Sequence, residues 1–288
     1  FSQGMADVLN LPQLSRYRHE TTYVIAAGND GISQTADIQW DYAKDSTFIL
    51  VGSVDPNGEI SSFSNRPGTA CLVDQYGNCG AGQELYMRTV VAPGSLILVS
   101  DGQGGVVRHS GTSFAAPLVS GAISLLHDRW TWLVRHPEET AEIIFRSAQD
   151  LGAPGPDEVY GWGLLDVAAS QSPLDFNSMT FTQYQRNGNS WNSVKTPITS
   201  LLGAGVPSSW DTDGVYFTAF ETVGKTYRDF AIPMSSLTYG SSTNVLGHGD
   251  QRIQDFISGR FANWLLSNGK DKDGDGKFNA ETNAGFRT

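Results

Sequence analysis

Gly111-Thr112-Ser113-Phe114-Ala115-Ala116-Pro117-Leu118-Val119-Ser120-Gly121 puts a serine hydroxyl at the mouth of an apolar helix, with small neighbours that let another molecule approach closely. A nucleophile there gains from unpaired backbone N–H groups and the positive end of the helix dipole, which favour the oxyanion formed when a carbonyl is attacked. Acyl transfer is the chemistry such a serine can perform. The same residues also describe an ordinary helix N-cap, and position alone leaves both readings open. A second stretch, Asp271-Lys272-Asp273-Gly274-Asp275-Gly276-Lys277-Phe278-Asn279, alternates carboxylates and closes on glycine, as a calcium loop does. Asp271, Asp273 and Asp275 fit positions 1, 3 and 5, the Lys277 carbonyl fits position 7 and Asn279 fits position 9, all hard oxygen ligands for Ca²⁺. Position 12 is Thr282 where a bidentate Glu is usual, and the bland alternative is a solvated acidic turn. Cys71 and Cys79 sit in a turn-rich run without helical periodicity, which reads as a short loop disulfide and an oxidising compartment.

These residues need elements to hold them. Tyr23-Val24-Ile25-Ala26-Ala27 and Phe48-Ile49-Leu50-Val51-Gly52 are short continuous apolar runs, expected of strands buried on both faces of a parallel sheet. From Ser113 the apolar positions Leu118, Ala122, Leu125 and Leu126 recur at helical spacing. A second helix is expected after Pro137, through Ile143, Ile144 and Ala148. Beyond about Ser170 the texture turns to Thr, Ser, Tyr, Phe and Asn, with strand-like pieces at Val215–Phe220 and Tyr227–Ile232. The expected division is therefore 1–170 and 171–288, the second part mainly β with a helical segment around Ile253–Leu266 before the Asp/Gly-rich tail.

Over 288 residues, thirty acids against 19 bases give a formal charge of -11, which repels phosphate backbones and anionic lipid headgroups. Nucleic acid is not an expected partner. No apolar run approaches the roughly 20 residues of a membrane-spanning helix.

The Gly111–Gly121 stretch resembles the nucleophile motif of the subtilisin-like serine proteases, the subtilases, whose signature is Gly-Thr-Ser-x-Ala-Ala-Pro-x-Val-x-Gly. Three further stretches agree in order. Ala26-Ala27-Gly28-Asn29-Asp30-Gly31 resembles the oxyanion-hole segment, Val91-Ala92-Pro93-Gly94 the strand end before the nucleophile, and Tyr160-Gly161-Trp162-Gly163-Leu164-Leu165-Asp166 the closing Gly-x-Gly-x-x-Asp helix. The resemblance spans roughly residues 20–170. It implies an α/β fold with a mostly parallel sheet and helices on both faces, in part, followed by a smaller mainly β region. It implies further that Ser113 is the nucleophile of a peptide-bond hydrolase, and that Asn29 with the Ser113 N–H holds the oxyanion. Ala26, Ala27 and Gly28 would line one wall of the primary specificity pocket.

A subtilase also needs a carboxylate and an imidazole, and in family order both precede the Asn and Ser. Upstream of Asn29 stand only Asp7 and an isolated His19, without the family's surroundings. His109, His127 and His136 read as structural. The expectation is that an N-terminal segment absent from this chain supplies Asp and His, and that proteins or peptides are the substrates. A calcium-stabilised surface or binding protein on the same scaffold is the alternative. Tyr227-Arg228-Asp229-Phe230-Ala231-Ile232-Pro233 is loosely similar to the linker of autotransported bacterial subtilases, which implies a secreted or cell-surface, bacterial extracellular location.

Overall fold

In a computed structural model, residues 1–187, 190–201 and 216–233 are described. The chain divides into two units, Phe1–Ser170 and Gln171–Thr288. The first contains strands Tyr23–Ala26 (β1), Ile38–Gln39 (β2), Phe48–Val54 (β3), Cys71–Val73 (β4), Cys79–Glu84 (β5), Thr89–Pro93 (β6), Ile97–Ser100 (β7) and Val106–His109 (β8). Its helices are Gln3–Leu9 (α1), Pro12–Ser15 (α2), Thr112–Arg129 (α3), Pro137–Ser147 (α4) and Val167–Ser170 (α5).

The expected apolar runs are strands β1 and β3. Together with β6 they form a parallel sheet in the order β1-β3-β6, with Tyr23 opposite Phe48 and Leu50 opposite Thr89. β3 is buried at all seven positions, as a central parallel strand covered on both faces must be. Phe48 and Leu50 join a cluster with Ala6 and Leu9 of α1, Ile38, Trp40, Leu72 and Leu85. By strand alternation Ile49 and Val51 point the other way, and α3 is the helix that packs along all three strands. Ser2 starts α1 by accepting a hydrogen bond from the Met5 N–H through its hydroxyl, an N-cap that leaves Ala6 and Leu9 facing the core.

The two long helices form as the periodicity predicts, with one correction. α3 buries Ala115, Val119, Ala122, Ile123 and Leu126, whereas Leu118 is 43% exposed. The buried stripe is rotated from the one drawn through Leu118, because Ala115 and Ala122 let the helix backbone approach the sheet where a larger side chain would hold it off. α4 starts at Pro137, carries Glu138 and Glu139 in its first turn and Arg146 in its last, and buries Ile143 and Ile144. Cys71 and Cys79 form a disulfide linking β4 and β5.

The second unit, within its described residues, is a four-stranded antiparallel sheet in the order β10-β9-β11-β12, formed by Thr180–Asn187 (β9), Ser190–Pro197 (β10), Tyr216–Val223 (β11) and Thr226–Pro233 (β12). Glu221 and Arg228 pair across β11 and β12, at 2% and 0% side-chain exposure. The remaining oxygen of Glu221 accepts from the Asp175 N–H at 3.1 Å, and Arg228 donates to the Ser172 carbonyl at 3.0 Å. The helical segment expected around 253–266 and the Asp/Gly-rich tail lie outside the described residues.

Candidate active site

β1 runs without a break into Ala27-Gly28-Asn29, so its C-terminal end delivers Asn29 to the edge of the parallel sheet. α3 begins at Thr112, and the Gly111 N–H before it donates to the Gly94 carbonyl at 2.8 Å, which ties the turn to the end of β6. Residues 83 apart in sequence thereby meet. The Thr112 N–H donates to Asn29 Oδ1 at 2.8 Å and the Thr112 hydroxyl donates to the same oxygen at 3.0 Å. The Thr112 hydroxyl in turn accepts from the Gly28 N–H at 3.2 Å.

That arrangement decides which way the Asn29 amide faces. With Oδ1 taken by two donors, the NH₂ end is left to donate elsewhere. A Cβ on Gly111 would rest in ordinary contact with Asn29 Nδ2, 3.6 Å away, which puts the turn before α3 directly beside the amide. Asn29 and Ser113 are both exposed. Of the first α3 donors, Thr112 is capped by Asn29 and Phe114 by the Gly111 carbonyl, while Ser113 N–H has no acceptor among the described residues. Pro117 has no N–H for the Ser113 carbonyl, which loosens the ladder of the first turn. The outcome is an exposed hydroxyl, an uncommitted backbone N–H and an uncommitted amide NH₂ at a helix N-terminus.

The other residues singled out from the sequence fall as follows. Ala27 is 5% exposed and belongs to the core cluster, whereas Ala26 and Gly28 are half-buried beside Asn29. No described imidazole hydrogen-bonds the Ser113 hydroxyl. His19 lies exposed in a turn, and His109 lies exposed on β8 with its ring stacked on Phe114 at 6.0 Å. His127 Nε2 is 3.1 Å from the Thr140 hydroxyl, and burial pushes its pKa down. His136 Nδ1 lies 3.5 Å from Glu139. Asp271, Asp273, Asp275, Lys277 and Asn279 lie outside the described residues; among those described, no group of three His, Cys, Asp or Glu could hold a metal ion. No described helix is long and apolar enough to cross a membrane.

Sequence reasoning passed over Thr112 and Asn65. Thr112 stands inside the motif, where its place beside Ser113 could have drawn notice. Asn65, which contacts the Asn29 loop, sits in Ser64-Asn65-Arg66 with no local signature.

A parallel sheet covered along all three strands by the helix that carries Ser113 places the first unit in the α/β class. The chain belongs to the subtilase family of serine proteases, whose family model, Peptidase_S8, matches residues 2–163. Among curated relatives it is 31% identical over 175 residues to "Serotype-specific antigen 1" of Mannheimia haemolytica, covering 56% of this chain and 17% of that protein. It is 32% identical over 167 residues to "Neisserial autotransporter lipoprotein NalP" of Neisseria meningitidis serogroup B, covering 56% of this chain and 15% of that protein. The matched segment thus spans less than a fifth of the length of these relatives. Among solved structures, the self-cleaved protease domain of PatA matches at 27% identity over 55% of this chain and 53% of that one, with a TM-score of 0.38.

Proposed function

We propose that this segment carries the nucleophile and oxyanion half of a serine endopeptidase acting on proteins or peptides. Ser113 Oγ attacks the scissile carbonyl while an imidazole takes its proton. The tetrahedral intermediate collapses to an ester on Ser113 as that proton passes to the leaving amine, and water then releases the acid by the same route in reverse. Negative charge on the carbonyl oxygen is met by Asn29 Nδ2 and the Ser113 N–H. The observation that carries this reading is the double occupation of Asn29 Oδ1 by Thr112, which leaves the amide to donate.

The imidazole and its orienting carboxylate come, in this reading, from an N-terminal segment outside the chain. Among the described residues β1 pairs only with β3, so one edge of the sheet stands open next to Asn29. A further parallel strand there would bring its C-terminal end, where α/β enzymes carry their reactive groups, alongside the site. A secreted or cell-surface bacterial location fits the autotransporter named among the relatives. Calcium on the Asp271–Asn279 loop is proposed from its residue pattern alone.

A fluorophosphonate probe with intact-mass analysis tests the proposal. In the polypeptide that joins this segment to the Asp and His, an adduct mapped to Ser113 is expected, absent in Ser113→Ala. Failure of Ser113 to react in that folded protein overturns the reading. An adduct on this chain by itself overturns the external source of the base.

A further inference from the structure

Asn29 is exposed, and its own backbone makes no hydrogen bond among the described residues. Its position is therefore set by its neighbours. On one side stands Thr112, which orients the side-chain amide and whose hydrogen bonds to this turn go to Gly28 and Asn29. On the other side stands Asn65, half-buried, with four hydrogen bonds to residues that bracket Asn29. Its N–H donates to the Gly28 carbonyl at 3.0 Å. Its Oδ1 accepts from the Asp30 N–H at 2.9 Å and from the Ile32 N–H at 3.2 Å, and its Nδ2 donates to Asp30 Oδ2 at 3.2 Å.

The bare Gly28 makes room for this side chain. Gly28 has φ +107°, a conformation L side chains rarely adopt, and a Cβ there would meet Asn65 Nδ2 at 2.4 Å. Flanking bonds lay the two segments side by side: the Gly31 N–H donates to the Phe63 carbonyl at 2.7 Å and the Arg66 N–H to the Ile32 carbonyl at 2.9 Å. One carboxamide, used as acceptor twice and donor once, thus spans Asp30 to Ile32 and closes the turn immediately after Asn29.

We propose that Asn65 is a positioning residue for oxyanion stabilisation, holding the Gly28–Ile32 turn so that the Asn29 amide stays aimed at the N-terminus of α3. This rests on the protease reading given above. The hydrogen bonds of the Asn65 N–H and side chain go to Gly28, Asp30 and Ile32 and none to Ser113, so it acts through Asn29. Such donors act by being pre-aimed, so a turn free to shift forfeits part of the benefit of Asn29 without removing the amide.

The test is a double-mutant cycle in the active protease, this segment together with the polypeptide that supplies Asp and His, using a chromogenic peptide amide. Removing the oxyanion-hole asparagine of subtilisin costs about 10²- to 10³-fold in turnover, which sets the ceiling for Asn29→Ala. Asn65→Ala is expected to lower kcat by about 10- to 100-fold with KM within about twofold, and by less than about threefold when Asn29 is already Ala, since neighbours acting as a unit are non-additive. Asn65→Asp keeps the two acceptor bonds but sets a carboxylate against Asp30; adding Asp30→Asn re-pairs them and is expected to restore kcat. This exchange separates positioning from folding if Asn65→Ala is unstable. Equal losses with and without Asn29, an unchanged kcat, or a change in KM alone overturns the proposal. Absence of Ser113-dependent turnover in the unmutated, folded protein is a different result, and it removes the protease reading itself before any Asn65 variant is compared.

Discussion

Thr112 offers the sharpest test of how the site is built. It is 1% exposed, and its hydroxyl donates to Asn29 Oδ1 at 3.0 Å while accepting from the Gly28 N–H at 3.2 Å. Thr112→Val keeps the shape and the burial but deletes both bonds. Each is a neutral hydrogen bond of about 1 kcal/mol net, and Gly28 N–H is left unpaired in a half-buried place, so the variant is expected to lose about 2 kcal/mol of stability. Thr112→Ser keeps both bonds and deletes one buried methyl, about 1 kcal/mol. The order is therefore Val worse than Ser, the reverse of what hydrophobic burial alone dictates. Urea unfolding followed by tryptophan fluorescence reads this, since Trp40 and Trp130 are 2% and 0% exposed. In the active protease Thr112→Val leaves Asn29 Oδ1 with one donor of two and is expected to lower kcat by about tenfold, a fraction of the full oxyanion-hole contribution. A Val variant as stable as the unmutated protein, or more stable than the Ser variant, refutes the hydroxyl's role.

Two further outcomes concern the scaffold. Burial lowers the His127 pKa below the ordinary 6.5, so the unfolded chain takes up a proton first as pH falls. Stability is expected to decline from about pH 6.5 down to the folded pKa and to be insensitive to this group above that window; a melting series comparing His127→Gln with the unmutated protein reads it as a flatter acid limb. In the second unit, Arg228→Met strands the Glu221 carboxylate at 2% exposure and is expected to cost about 3 to 5 kcal/mol. Adding Glu221→Gln removes the buried charge while keeping an acceptor for the Asp175 N–H, so the double variant is expected to denature later than Arg228→Met.

Much of the framework was legible along the chain because it follows from local rules. Continuous apolar runs at 23–27 and 48–52 are β1 and β3, Pro137 opens α4, and the short Cys71 to Cys79 spacing closes a disulfide. The nucleophile and oxyanion motifs could be picked out as candidates because their glycines and small residues are consecutive. The stripe that α3 buries could not, since Leu118 and Val119 are both apolar and only the approach of the sheet decides which one turns inward.

What the sequence by itself determined was therefore the kinds of residue present and the elements that carry them: Ser113 at a helix start, Asn29 at a strand end and the family to which both belong. The tertiary structure alone decided how they face one another. Asn29 meets Thr112 across 83 residues, and Asn65 meets Asp30 across 35. Hydrogen bonds of that range leave no periodicity in the chain, because their partners are brought together by burial of the sheet core and not by neighbouring backbone. The direction of a single amide, on which the proposed chemistry depends, is a property of that packing.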